Sequence, residues 1–65
     1  MSTWIERLRD ERVELNHRTE LLRKFLSGQR PESCHIEQWA MMQAQLSAME
    51  DYLQILDLRL QRVNA

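Results

Sequence analysis

With a single cysteine, the chain cannot close a disulfide on itself, so that staple is excluded and a reducing compartment suits it. One glycine leaves no glycine-rich phosphate loop. The two histidines, His17 and His35, fall short of a zinc site, which needs at least three converging ligands. Glu14 and Glu50 are of the type that ligates a di-iron centre, but no Glu-x-x-His completes that set. Cys34 lies beside His35 without a third group to orient the pair. These absences predict a protein that is not an enzyme and holds no metal and no cofactor. Nor is there the apolar core of a signal peptide, or a run near the ~18 apolar residues that a membrane span requires. The expectation is a soluble, cytoplasmic protein with no membrane contact.

What the chain does have is apolar side chains, at 43% of its 65 residues. That length makes one domain, 1–65, and a core this small rarely supplies more than ~3–5 kcal/mol unless a disulfide, a metal or a partner chain adds to it. With the first two excluded, oligomerisation is the remaining route. The net charge is −1 but is split unevenly: residues 1–30 carry seven Arg/Lys against five Asp/Glu (+2), and residues 31–65 carry two against five (−3). Halves of opposite sign favour their own pairing. The mixture lacks the basic stripe of a nucleic-acid-polymer binder.

Thr3-Trp4-Ile5-Glu6 has the form of a capping box, with Thr3 accepting from the Glu6 amide and the Glu6 side chain reaching back. From there no glycine or proline interrupts the chain before Ser27. Glu14 with Arg18, and Glu20 with Lys24, stand four apart in the favourable orientation. Gly28 fits a helix stop, and Pro31 cannot continue one. The second helix starts either at Pro31 or after His35, acting as a weak cap answered by Gln38, and it ends near Val63 with Arg59 and Arg62 suited to the dipole there. The short loop over 28–33 makes the helices antiparallel neighbours. The predicted fold is all-α: an antiparallel two-helix hairpin, about 3–27 and 34–63, assembling into a homo-oligomeric helical bundle.

Within the second helix, Trp39, Met42, Leu46, Met49, Leu53, Leu56, Leu60 and Val63 alternate at spacings of three and four, an unbroken heptad seam. The first helix answers with Leu8, Leu15 and Leu22, flanked by Trp4, Ile5, Phe25 and Leu26. Glu11 and Arg18 are read into the partner register between Trp4 and Phe25. Two readings of that pair stand: both side chains snorkel to the seam edge, or Arg18 lines a pocket, guanidinium being the fitting fork for phosphate or carboxylate. A further stripe, Met41, Ala44, Ala48, Ile55 and Leu58, points away from the first helix. A second apolar face on a two-helix protein predicts an interface. Trp39, Met41, Met42, Ala48, Met49, Ile55 and Leu58 are the candidate interface residues. Beside the seam, Gln38, Gln45, Tyr52 and Arg59 recur one heptad apart. Such a row is either a solvated flank or a ligand wall, in which Tyr52 stacks on a base, Arg59 meets a phosphate and Gln45 bonds a base edge or ribose. Arg18, Gln45, Tyr52 and Arg59 are the candidate ligand-binding set.

Glu14-Leu15, Arg18, Leu22 and Phe25-Leu26, then a short loop, then Gln45-Leu46, Met49, Tyr52-Leu53, Leu56 and Arg59 make up a pattern that resembles very small proteins of bacteriophages and prophages. The architecture is similar to the helical hairpin of phage anti-CBASS and anti-Thoeris sponges. Those sponges are homo-oligomers that sequester cyclic nucleotides or related immune signals, and they carry a stacking aromatic ahead of the hairpin. Here Trp4 is the only aromatic in that place. The resemblance implies a phage-type counter-defence protein, active in the cytoplasm of an infected or lysogenic bacterial host, whose partners are itself and a (cyclic) nucleotide held between subunits. The alternative is a small helical inhibitor or adaptor that binds a host protein through its exposed helix face.

Overall fold

Thr3 caps the first helix with its own half of the expected box: its side-chain oxygen accepts from the Glu6 amide at 3.1 Å, and its carbonyl accepts from the Arg7 amide at 3.1 Å. The helix so started, α1, runs over Trp4–Ser27. Here Gly28 is the C-cap, its amide donating to the Phe25 carbonyl at 3.4 Å with φ −90° and ψ −171°. The stop is therefore extended backbone, not the left-handed turn that makes a glycine necessary. Pro31 lies in the loop, where its carbonyl accepts from the Cys34 amide at 3.0 Å. The second helix, α2, runs over Ile36–Asn64. Of the two predicted starts, the later one forms. His35 Nδ1 accepts from the Glu37 amide at 3.2 Å, and the His35 carbonyl accepts from the Trp39 amide at 3.0 Å. The Arg30 guanidinium donates to the Cys34 carbonyl at 2.7 Å and clasps the loop from within. The computed structural model describes residues 3–64.

The two helices pack antiparallel as a rod of 46 × 21 × 16 Å. All of the seam residues read from α2 are buried or half-buried, with Leu56 wholly enclosed. The matching face of α1 is Ile5, Leu8, Arg12, Leu15, Thr19, Leu22 and Leu26, at the same alternation of three and four. This corrects the register: Glu11 and Arg18 are exposed, and Arg12 and Thr19 hold the inward positions. Both find partners there. The Thr19 hydroxyl, with no solvent exposure, donates to the Leu15 carbonyl at 2.7 Å, the back-bond that lets a buried threonine stay in a helix. Arg12 reaches across the seam and its Nε donates to Asp57 at 2.8 Å. Hydrogen bonding to that carboxylate, and then its charge, pushes the Arg12 guanidinium above its already high ordinary value. Phe25 and Trp39 close the loop end, with ring centroids 5.6 Å apart and planes tilted by 58°.

Among the described residues the buried apolar side chains are Leu8 and Leu56 alone. A single helix–helix seam leaves each helix most of its circumference in solvent, so the core is thin. The second stripe of α2 stays outside: Met41, Ile55 and Leu58 are 55%, 54% and 52% exposed, and Ala44 and Ala48 lie open between them. No helix is long and apolar enough among the described residues to cross a membrane.

Candidate functional site

The flanks of the seam differ in chemistry. On one, cross-helix ion pairs stitch α1 to α2: Arg12 to Asp57, and Arg23 to Glu50 at 3.2 Å. Arg23 also pairs with Glu20, the partner expected of Lys24. Both glutamates hold the Arg23 guanidinium above its ordinary value by hydrogen bonding, Glu50 most of all. This flank is spoken for.

The other flank is formed where the Trp4, Glu11, Arg18, Phe25 row of α1 runs beside the Gln38, Gln45, Tyr52, Arg59 row of α2. Two observations fix their relative register. The Tyr52 hydroxyl donates to the Glu11 carboxylate, and Trp4 and Arg59 line one cavity. In that same antiparallel register, Arg18 falls level with Gln45, and Phe25 with Gln38. All of the candidate ligand residues, Arg18, Gln45, Tyr52 and Arg59, thus share one flank of the hairpin, and each is exposed. They do not form one pocket. Residues 59 and 45 are two heptads apart, about 21 Å along the helix at ~1.5 Å per residue, more than a mononucleotide spans. Some are also engaged already: Arg18 donates to Glu14 at 3.3 Å, Gln45 leans on the Met49 sulfur at 3.9 Å, and the Tyr52 hydroxyl is held by Glu11.

The cavity sits at the open end of the hairpin, where α1 begins and α2 ends. Trp4, Ile5, Arg59, Arg62 and Val63 line a shallow concavity that is largely open to solvent. Ile5 and Val63 continue the seam to its edge and form an apolar floor. Trp4, 56% exposed, offers a ring face, and two guanidiniums stand three residues apart on the last turns of α2. An indole beside an apolar floor and paired arginines suits a flat ring carrying negative charge. Arg59 was expected at such a site. Trp4 and Arg62 were not assigned to it, although Trp4 stands one heptad before Glu11 in the same row. Arg62 reads in sequence as a dipole partner only, because nothing local shows that the other helix starts beside it.

Of the candidate interface residues, Trp39, Met42 and Met49 lie half-buried in the seam within the hairpin, whereas Met41, Ala48, Ile55 and Leu58 face outward. Cys34 is half-buried in the turn ahead of α2. No grouping of three or more His, Cys, Asp or Glu suited to a metal ion occurs among the described residues.

The chain belongs to the Sequestin family, whose profile matches residues 2–62. No curated protein and no solved structure matches it.

Proposed function

We propose that this chain is a non-enzymatic sequestering protein that holds a nucleotide-type signal, cyclic or related, at the open end of the hairpin in pockets shared between copies. The observation that carries this reading is the cavity of Trp4, Ile5, Arg59, Arg62 and Val63, an aromatic face set against two guanidiniums on an apolar floor. The name of the Sequestin family points to sequestration and supports the same reading. The ligand's base stacks on Trp4, and its phosphate meets the Arg59 fork. Tyr52, Arg18 and Gln45 extend the wall along the flank for a ligand larger than one nucleotide or for contacts from a second copy. Capture of this kind is stoichiometric: it lowers the free signal, which fits counter-defence by a phage in a bacterial cytoplasm.

Native mass spectrometry on protein purified from cells, before and after exposure to a mixture of cyclic nucleotides, tests it. The expected spectrum is an oligomer with a stoichiometric nucleotide adduct. An assembly that takes up none of them overturns the ligand assignment. The exposed Met41, Ile55 and Leu58 favour a second reading, an adaptor docked on a host protein. Host-protein binding that survives removal of all small molecules and is lost in Ile55→Asp is the result that selects it.

A further inference from the structure

The outer face of α2 continues beyond its apolar residues. Glu37, Met41, Ala44, Ala48, Asp51, Ile55, Leu58 and Arg62 alternate at four and three, a second full heptad line, and every one of them is exposed. Among the described residues, Glu37, Asp51 and Arg62 enter no ion pair. The line has an acid at its first position, a base at its last, large side chains toward both ends and alanines near the centre. That order is self-complementary when reversed.

We propose that two copies of this chain pair antiparallel along this face, in the register that sets Glu37 against the partner's Arg62. The same register places Met41 on the partner's Leu58, Ala44 on the partner's Ile55, and Ala48 on the partner's Asp51, each layer occurring twice about a two-fold axis near residues 49 and 50. Small faces large in the Ala44 layer, which lets the backbones approach, and acid faces base at both ends. The other arrangements fail on the same residues. Shifting by one heptad sets Met41 on Asp51 and Ile55 on Glu37, or, in the other direction, Ile55 on Asp51 and Arg62 on Ala44. A parallel pair stacks Glu37, Asp51 and Arg62 each on its own copy, like charge on like. The surviving register covers the line from end to end, about 38 Å at ~1.5 Å per residue. It also brings the start of the partner's α2 to Arg62, which lines the concavity at the open end, so that in the dimer Arg62 answers the partner's Glu37 and Arg59 is the guanidinium left to meet an anion. This inference rests on the self-association in the proposed function and is independent of its ligand. Its weak layer is Asp51, whose two copies approach one another near the axis.

Sedimentation equilibrium on the full chain without nucleotide tests the pairing, so that its failure cannot be mistaken for failure to bind ligand. The wild type is expected as a dimer or a multiple of it. Glu37→Arg sets like charges together at both ends and should weaken association about tenfold, and adding Arg62→Glu should restore it to within about threefold. Asp51→Ala should tighten it. Far-UV circular dichroism on each variant establishes that the helices persist, and the charge pair is chosen because exposed end positions leave the seam untouched. A wild type that stays monomeric at tens of micromolar overturns the pairing. Equally, a Glu37→Arg variant that associates as well as wild type, or a double variant no better than the single, overturns the register.

Discussion

Thr19 shows how the chain tolerates a polar side chain at the centre of a thin core. Its hydroxyl is fully enclosed and bonded to the Leu15 carbonyl, which as a helix acceptor does not depend on it. Replacing that hydroxyl with a methyl keeps the branched shape and removes a buried polar group. Thr19→Val is therefore expected to raise stability by about 0.5–1 kcal/mol, read as the shift of a urea or thermal transition at fixed protein concentration. A lowered midpoint would show that the hydroxyl contributes more than its back-bond. Leu56 is the opposite case: wholly enclosed, with no comparable side chain in α2 to replace it, so Leu56→Ala should cost about 2–4 kcal/mol and strip most of the helical signal. Gly28 ends α1 as its position in the sequence suggests, but without the backbone that only glycine adopts. A glycine after a helix suggests a left-handed stop, yet here φ is −90° and a Cβ would meet only the Phe25 carbonyl at 3.7 Å. Gly28→Ala should thus hold or raise stability, by up to about 1 kcal/mol, because it restricts the unfolded chain. A clear loss in the same melt would mean that the loop relies on a conformation that alanine cannot adopt.

At the scale of elements, the seam of α2 was legible because every position in it is apolar. That of α1 was legible only by half. Leu8, Leu15 and Leu22 fix one line of its heptad, but the line completing it can lie three or four residues back, and both choices end in apolar side chains: Ile5 and Leu26, or Trp4 and Phe25. The middle decides, and there the competition is between pairs of polar residues. Arg12 and Thr19 win because Asp57 lies within reach of one and the preceding turn satisfies the other. Neither partner is visible from the local sequence, since the first needs the cross-helix level and the second needs the depth of the seam. The start of α2 was narrowed to two sites for a similar reason. Proline favours a first turn, but the loop's own bond from Cys34 to Pro31 holds that segment out of the helix. His35 caps by lending Nδ1 to the Glu37 amide, a role that a serine hydroxyl fills better. His35→Ser is expected to stabilise α2 by about 0.5–1 kcal/mol, measurable in the same melts. An unchanged or lower midpoint would imply that the imidazole has a second duty in the loop.

For the molecule as a whole, the rod's shape ranks the candidate ligand residues against each other. The sequence placed Arg18, Gln45, Tyr52 and Arg59 in one set by type and spacing, and the hairpin does bring them to one flank. The rise of the helix then spreads them over about 21 Å, so a mononucleotide at the open end touches Arg59 and cannot touch Arg18 of the same chain. Trp4, exposed at that end, is the residue to which the proposed function gives the stacking part, with Tyr52 one heptad further along. For a small nucleotide, then, Trp4→Ala and Arg59→Ala should each weaken binding about tenfold or more while leaving the helical signal intact. Arg59→Lys should fall between, since it keeps the charge and loses the fork. Arg18→Ala is the deciding variant in a titration by calorimetry. If it leaves affinity unchanged, the site is the cavity of one hairpin end. If it weakens binding as much as Arg59→Ala, with helices and assembly preserved, the ligand must bridge two chains or run the length of the flank. Loss at neither arginine would remove the flank from consideration altogether.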